Sequence, residues 1–256
     1  MTRVIKVGGR PQLDPSLPAA LAAAHRAHQG ELILVHGGGD EVSTLQKMYG
    51  APSQFRDGRR VTTTLDIEII RMALSGSANK RIVSALVSLG VAAIGISGED
   101  ANALGATPLD VSEYGHVGVP ATVNTNLLEY LMTGGYLPVI SPVSRSTAEG
   151  ASAVLNVNGD DAAAAIAAAM KATELLLVSD VEGVLTKDGD AITDLDAESA
   201  QRLIDDGTAQ GGMSAKIRAA LRALEDGVER VRISDIAAIE HVDSGTVITR
   251  VGSTVQ

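Results

Sequence analysis

The feature that most restricts the fold is a series of short, continuously apolar runs, two of which stop abruptly in bare glycine. The runs span residues 4–7, 32–35, 92–96, 137–140, 175–178 and 231–233. A strand that is apolar at every position is covered on both faces, as in a parallel sheet flanked by helices. Stretches with helical periodicity lie between the runs, at 17–28, 40–49, 65–75, 79–89, 161–171, 197–205 and 214–226. This βαβα order predicts an α/β fold with a doubly wound, mainly parallel sheet and right-handed crossovers. Ligands of such sheets bind beyond the carboxyl ends of the strands. The first run ends in Gly8-Gly9 and the second in His36-Gly37-Gly38-Gly39. Consecutive glycines uncover amide N–H groups and let a ligand approach the main chain, and the second cluster leads into a helix start. Two anion sites so close in sequence point to a highly charged transferable group, most simply phosphate.

Composition narrows the remaining classes. The 256 residues suit one large α/β domain or two lobes sharing a sheet. Hydrophobic residues make up 45% but aromatics only 2%, so the core must be built from Ala, Val, Leu and Ile. The formal net charge of -10 argues against a nucleic-acid partner and against anionic membranes. The absence of cysteine excludes disulfides, thiol catalysis and thiolate metal sites. The five histidines form no ligand pair of the HExxH kind. No signal pattern or membrane-spanning apolar run is apparent, so a cytoplasmic location is expected. Residues 97–123, rich in Gly, Asp and Pro, read as irregular, a hairpin or lid. The Ala-rich run after Asp160 reads as a helix packed closely on the sheet.

Four further segments carry chemistry. Asp57-Gly58-Arg59-Arg60-Val61-Thr62 sets two arginines after a glycine turn; Arg60 suits a bidentate clamp on a carboxylate. Asn156-Val157-Asn158-Gly159-Asp160-Asp161 places two amides at period two, facing one way, before two carboxylates that open a helix. The run at 175–178 continues into Ser179-Asp180-Val181-Glu182-Gly183-Val184-Leu185, and Gly211-Gly212-Met213-Ser214-Ala215-Lys216 joins a glycine turn to a lysine. Only six lysines occur against fifteen arginines, and Lys6 and Lys216 both fall in glycine-rich motifs. A compact ammonium suits a phosphoryl group, whose charge spreads over several oxygens in the transition state. Asp160 reads either as a helix-start carboxylate or as a buried anion holding the lysines in place. No G-x-x-x-x-G-K-[ST], no G-x-G-x-x-G after a strand and no G-x-S-x-G elbow occurs, which excludes a P-loop kinase and disfavours dinucleotide dehydrogenases and esterases.

Taken in order, these motifs, with Ser75-Gly76-Ser77-Ala78-Asn79-Lys80 and Gly135-Tyr136-Leu137-Pro138-Val139-Ile140, resemble the amino acid kinase superfamily, and within it the acetylglutamate kinases. The resemblance covers essentially the whole chain. It implies a three-layer α/β/α sandwich with an N-terminal lobe, about residues 1–170, for the acyl substrate and dimerisation, and a C-terminal lobe, about 171–256, for the nucleotide. It implies ATP-dependent phosphorylation of the γ-carboxylate of N-acetyl-L-glutamate, with Mg²⁺ bound to the ATP. Lys6 and Lys216 would stabilise the transferring phosphoryl group and Asp160 would organise them. Gly38, Gly39, Arg60, Asn156 and Asn158 would hold the acyl substrate. Gly8, Gly9, Asp180, Val181, Glu182, Gly183, Val184, Leu185, Thr208, Ala209 and Gln210 would line the nucleotide site. Glu99 stands where the resemblance suggests a more basic residue. The first strand starts near Arg3, without the N-terminal helix of arginine-inhibited hexamers, so a homodimer insensitive to arginine is expected. Two other readings are a kinase for acetylaminoadipate or a carrier-linked aminoadipate or glutamate, which needs a basic docking surface, and a non-catalytic amino-acid-binding regulator.

Overall fold

A computed structural model of the chain describes residues 1–56, 58–148 and 153–250. Asp57 of the arginine motif and the last six residues of the expected C-terminal lobe lie outside the described residues.

All six apolar runs become strands of one eight-stranded sheet. The strands are β1 (Arg3–Val7), β2 (Leu32–His36), β3 (Ala93–Ser97), β4 (Leu137–Ser141), β5 (Glu174–Val178), β6 (Asp194–Asp196), β7 (Arg230–Ser234) and β8 (Thr246–Thr249). Their spatial order is β6-β8-β7-β5-β1-β2-β4-β3. The six strands from β7 to β3 are mutually parallel, whereas β8 runs antiparallel to β7. Helices α1 (Leu17–Ala27), α2 (Gly39–Met48), α3 (Thr64–Ile70), α4 (Asn79–Ser88), α5 (Thr125–Thr133), α6 (Gly159–Ala169), α7 (Ala197–Asp205) and α8 (Gly211–Glu225) connect them. A π-helical stretch, Arg71–Ala78, joins α3 to α4 without a break.

The side-chain alternation of β1 sorts the two helical layers. Ile5 and Val7 face a core shared with Leu21 of α1 and Leu86 of α4. Val4 faces the other core, with Ala163, Ala167 and Ile166 of α6 and Ile217 and Ala220 of α8. The result is the expected α/β/α sandwich. The alanines of α6 let it lie close on the sheet, and Asn158 caps it, accepting hydrogen bonds from the N–H groups of Asp160 and Asp161 at 2.8 and 3.3 Å. Lys6 shares a face with Val4, so it points towards the start of α6.

The stretch expected to be irregular is more ordered than its composition suggests. Leu104–Pro108 and Val117–Val123 pair antiparallel, and with Val143–Ser146 and Val154–Val157 they close a small barrel beside the sheet. Leu104, Ala106, Leu155 and Val157 anchor that barrel in the same core as α6. Phe55–Arg56 and Arg59–Arg60 pair antiparallel as a short hairpin.

Candidate active site

Parallel pairing of β1 with β2 aligns Val7 with His36, so the two glycine turns emerge side by side. The Gly37 N–H donates to the Val7 carbonyl at 2.9 Å, locking one turn to the other. Gly38 adopts φ 152°, and a Cβ there would sit 2.7 Å from Leu74 Cδ2; a Cβ on Gly8 would meet Lys6 Nζ, so a larger residue there would displace the ammonium. The lysine therefore lies folded over the first turn.

Asp160 joins the two lysines. Lys6 Nζ lies 2.7 Å from Asp160 Oδ1, and Lys216 Nζ lies 3.4 Å from Oδ2. Lys6 and Asp160 are each 8% exposed at the side chain. Burial by itself would raise the Asp160 carboxyl, but the two ammonium groups, Lys6 foremost, outweigh it and hold the group below the usual carboxylate range. Burial pushes the Lys6 ammonium below the ordinary lysine value; Asp160 opposes that shift and Lys216 adds to it. The arrangement is a buried carboxylate with two positive groups on one edge, beside uncovered backbone N–H groups. It can neutralise an oxyanion. It contains no general base: His36 is fully buried, and burial pushes its imidazole down to about 4. The neutral ring instead braces the second glycine turn, with Nδ1 2.9 Å from the Gly37 carbonyl and Nε2 3.1 Å from Asn79 Nδ2.

A cavity of about 190 Å³ opens from this point. Lys6, Gly8, Gly9, Gly38, Gly39, Arg60, Asn156, Asn158 and Asp160 all border it, so nine of the expected site residues come together. Ile70, Leu74, Val117 and Val157 give it an apolar side. Besides Lys6 and Asp160, three of the polar members are already engaged. Asn158 Oδ1 caps α6, and Asn156 Nδ2 donates to Thr62 Oγ1 at 3.1 Å. The Arg60 fork donates to Gln46 Oε1, Ser53 Oγ, Ser43 Oγ and the Gly39 carbonyl, and its guanidinium lies 4.7 Å from the Phe55 ring centre. Gln46, Ser43 and Ser53 carried no sequence signal. Arg59 also borders the cavity, although the motif reading singled out only its neighbour. Glu99, the departure noted in sequence, is paired by Arg71 at 2.6 and 3.0 Å, so its charge is met within the chain.

Of the remaining expected residues, Asp180 to Leu185 follow β5, and Thr208 to Gln210 join α7 to α8. Asp180 borders a cleft with Arg10, Ser179, Asp235 and Ala237, and Glu182 borders a second with Thr193, Ser234 and Gly245. Gly183 and Val184 pack on Thr246, whose Oγ1 accepts from the Val184 N–H at 2.7 Å; Val184–Leu185 pairs with Ala191–Ile192. Val181 borders none of these cavities. Thr208 is held by Asp206, Ala209 is buried and Gln210 opens α8, the helix of Lys216. Among the described residues, no three His, Asp or Glu side chains converge as metal ligands. No helix there is long and apolar enough to cross a membrane.

Comparison with known proteins gives a consistent result. A sequence profile described as the amino acid kinase family matches residues 1–235. An acetylglutamate kinase of Chloroflexus aurantiacus is 42% identical over 248 residues, covering 96% of each chain. One of Geobacillus stearothermophilus is 42% identical over 234 residues, covering 91% of this chain and 89% of its own. The crystal structure of smu.665 from Streptococcus mutans superposes with a TM-score of 0.86 at 29% identity, covering 97% of this chain and 98% of that one.

Proposed function

The chain belongs to the amino acid kinase family, and we propose that it transfers the γ-phosphoryl group of ATP to the γ-carboxylate of N-acetyl-L-glutamate, a step of arginine synthesis. The observation that carries this reading is the Lys6–Asp160–Lys216 cluster where the two glycine turns meet. A carboxylate is already nucleophilic at neutral pH, so no base is required. One of its oxygens bonds to the γ-phosphorus while the bond to the bridging oxygen of ADP breaks. Repulsion between the two anions is the obstacle. Lys6, Lys216 and the N–H groups of Gly8, Gly9, Gly38 and Gly39 offset it by alignment and fixed positive charge. Asp160 keeps both ammonium groups apart and aimed.

In this reading the acyl-substrate lobe comprises about residues 1–170 and the nucleotide lobe the rest. Arg60, Asn156 and Asn158 serve the acyl end. Asp180 to Leu185 and Thr208 to Gln210 serve the nucleotide, and Mg²⁺ enters on the ATP phosphates as part of the substrate. The reaction is placed in the cytoplasm.

Hydroxylamine trapping tests the reaction. With MgATP, hydroxamate should form with N-acetyl-L-glutamate well ahead of N-acetyl-L-aminoadipate. The two differ by one methylene, which a pocket discriminates by ~1–3 kcal/mol. Preference for the longer acceptor would move the protein to the acetylaminoadipate reading, and no product with either would favour a carrier-linked acceptor or a binding protein.

We also propose a homodimer through the β3 edge. Among the described residues the strand has no neighbour on one side, and it is only half-buried, unlike the other strands of the parallel set. Exposed Met72, Val87, Leu89, Tyr130 and Tyr136 flank it on the elements to either side. Sedimentation equilibrium should give twice the chain mass of 26.3 kDa, unchanged by arginine; a monomer or hexamer would refute the assignment.

A further inference from the structure

Helix α8 carries Lys216 to the reaction centre, yet the end that bears it is weakly fixed. Gln210 stands at the helix start without a capping bond; its Nε2 donates back to the Gly207 carbonyl at 2.8 Å. Gly211 and Gly212 follow, and a Cβ on either would find nothing within 4 Å, so no packing holds the first turn there. Further along, Ala219, Ala220 and Ala223 share the core with Ala162, Ala163 and Ala167 of α6. Alanine faces let helices approach closely but offer shallow ridges, which leaves their register along the axis poorly set. Among the described residues Lys216 has one ion-pair partner, Asp160, at 3.4 Å. A second ion pair joins the same two helices. Arg222 Nη2, on α8, lies 3.0 Å from Oδ1 of Asp161, the residue after Asp160 on α6. Asp161 is buried, and Arg59 Nη2 holds its other oxygen at 2.8 Å. That carboxylate is a fixed point with or without Arg222.

We propose that Arg222 is a positioning residue for Lys216, acting through Asp161. The inference rests on the function proposed above, in which Lys216 neutralises the transferring phosphoryl group. Two consecutive carboxylates of α6 take two cations of α8 that stand about 9 Å apart along the helix axis. A helix held at one point pivots about it; held at two, it keeps its register. Without Arg222, the ion pair with Asp160 alone would tie the Lys216 turn to α6. Misplacing a reacting group by about 1 Å costs up to ~10²-fold in rate. Arg222 is 43% exposed and borders neither the cavity of Lys6 nor the clefts of Asp180 and Glu182, so its effect on the reaction has to pass through another side chain.

The test is a double-mutant cycle on kcat with saturating MgATP and N-acetyl-L-glutamate. Arg222→Met should lower kcat about 10-fold, inside that limit, with KM for acetylglutamate close to wild type. Arg222→Lys, which keeps a cation for Asp161, should retain most of kcat. In the Lys216→Ala background, Arg222→Met should cost less than about 2-fold, because no ammonium is left to position. An equal loss in both backgrounds, an unchanged kcat, a loss confined to KM, or a lysine variant no better than methionine would overturn the proposal. Arg222→Gln gives the same reading if the methionine variant does not fold. Acetylation of Lys216 by an N-hydroxysuccinimide ester, read by peptide mass, reports its position without turnover. Measured against the exposed Lys187 as internal reference, Lys216 should react faster in Arg222→Met and at the wild-type rate in Arg222→Lys. A rate unmoved by Arg222→Met, or raised equally in Arg222→Lys, would refute the role. If wild-type protein does not phosphorylate acetylglutamate, the functional reading fails separately, and the acetylation rates alone decide whether Arg222 positions Lys216.

Discussion

Replacing Lys6 with alanine is expected to lower kcat by about 10²- to 10³-fold, the usual loss when one fixed donor to a developing charge is removed, while leaving the Kd for ATP nearly unchanged. The asymmetry follows from when the charge is needed. Interactions that strengthen only in the transition state appear in kcat, whereas uniform binding appears in KM. Lys6 is buried, folded over Gly8 and 2.7 Å from Asp160, a fixed group rather than a mobile surface lysine. Lys216→Ala should act in the same direction. The double variant should cost less than the sum of the two, because both lysines act through one Asp160. Near-normal kcat in either single variant would remove that lysine from the chemistry.

The same cluster sets a pH dependence. Only the protonated lysine neutralises an oxyanion, and burial, aided by Lys216, holds Lys6 below its ordinary value of 10.5. Activity is therefore lost as pH rises through the lowered value, and the alkaline limb of kcat/KM should fall below 10.5. Because Lys216 is one cause of the lowering, Lys216→Ala should move that limb upward. A limb that stays put would show that another group titrates.

Six of the eight strands were legible as apolar runs: β1, β2, β4, β5 and β7 are buried along nearly their whole length and β3 is half-buried, whereas β6 and β8, which alternate in burial, had no such run. Each of the six apolar runs became a strand, with its ends displaced by a residue or so, and no side contact was needed to recognise it. The small barrel was not legible for the converse reason. Val143-Ser144-Arg145-Ser146 and the Gly- and Pro-containing Val117–Val123 mix small, polar and apolar residues, and only closure against each other satisfies them. In the site, glycine and lysine are conspicuous because their use is chemical. The partners that fix the neighbouring side chains are less so: Gln46 on Arg60 carried no signal, and Asn79 on His36 and Asp161 on Arg59 stood in quoted motifs without a partner until the fold brought them into contact. Arg59 could have been found: two adjacent arginines on an extended segment cannot face the same way, so each needs its own partner.

A second large effect is expected far from the chemistry, at Glu174. It begins β5, flanked in register by Arg3 of β1 and Arg230 of β7, at the end of the sheet opposite the glycine turns. Its carboxylate receives Arg3 Nε, Arg230 Nη2 at 2.8 Å and Arg232 Nε at 2.6 Å, while the carbonyls of Ala238, Ile239, His241 and Ser244 take the remaining N–H groups of Arg3 and Arg232. Arg232 is fully buried. Burial alone would raise the Glu174 carboxyl, but Arg232, Arg3 and Arg230 outweigh it, so the folded value lies below the unfolded one. Stability from this group is thus present above the unfolded carboxylate range and is lost as pH falls through the folded value. Glu174→Gln leaves three guanidiniums around a neutral amide. Breaking a buried pair in this way costs about 3–5 kcal/mol. At ~2–4 °C per kcal/mol for a chain of this size, Tm at neutral pH should drop by roughly 6–20 °C. The gap between wild type and variant should close as pH falls, because the protonated wild-type glutamate is then no better an anion than glutamine. Below the melting range kcat should be unchanged, since no member of this network borders the cavity of Lys6 and Asp160. A variant that melts with wild type at neutral pH, or one whose deficit persists undiminished in acid, would show that the carboxylate is not what holds the three arginines.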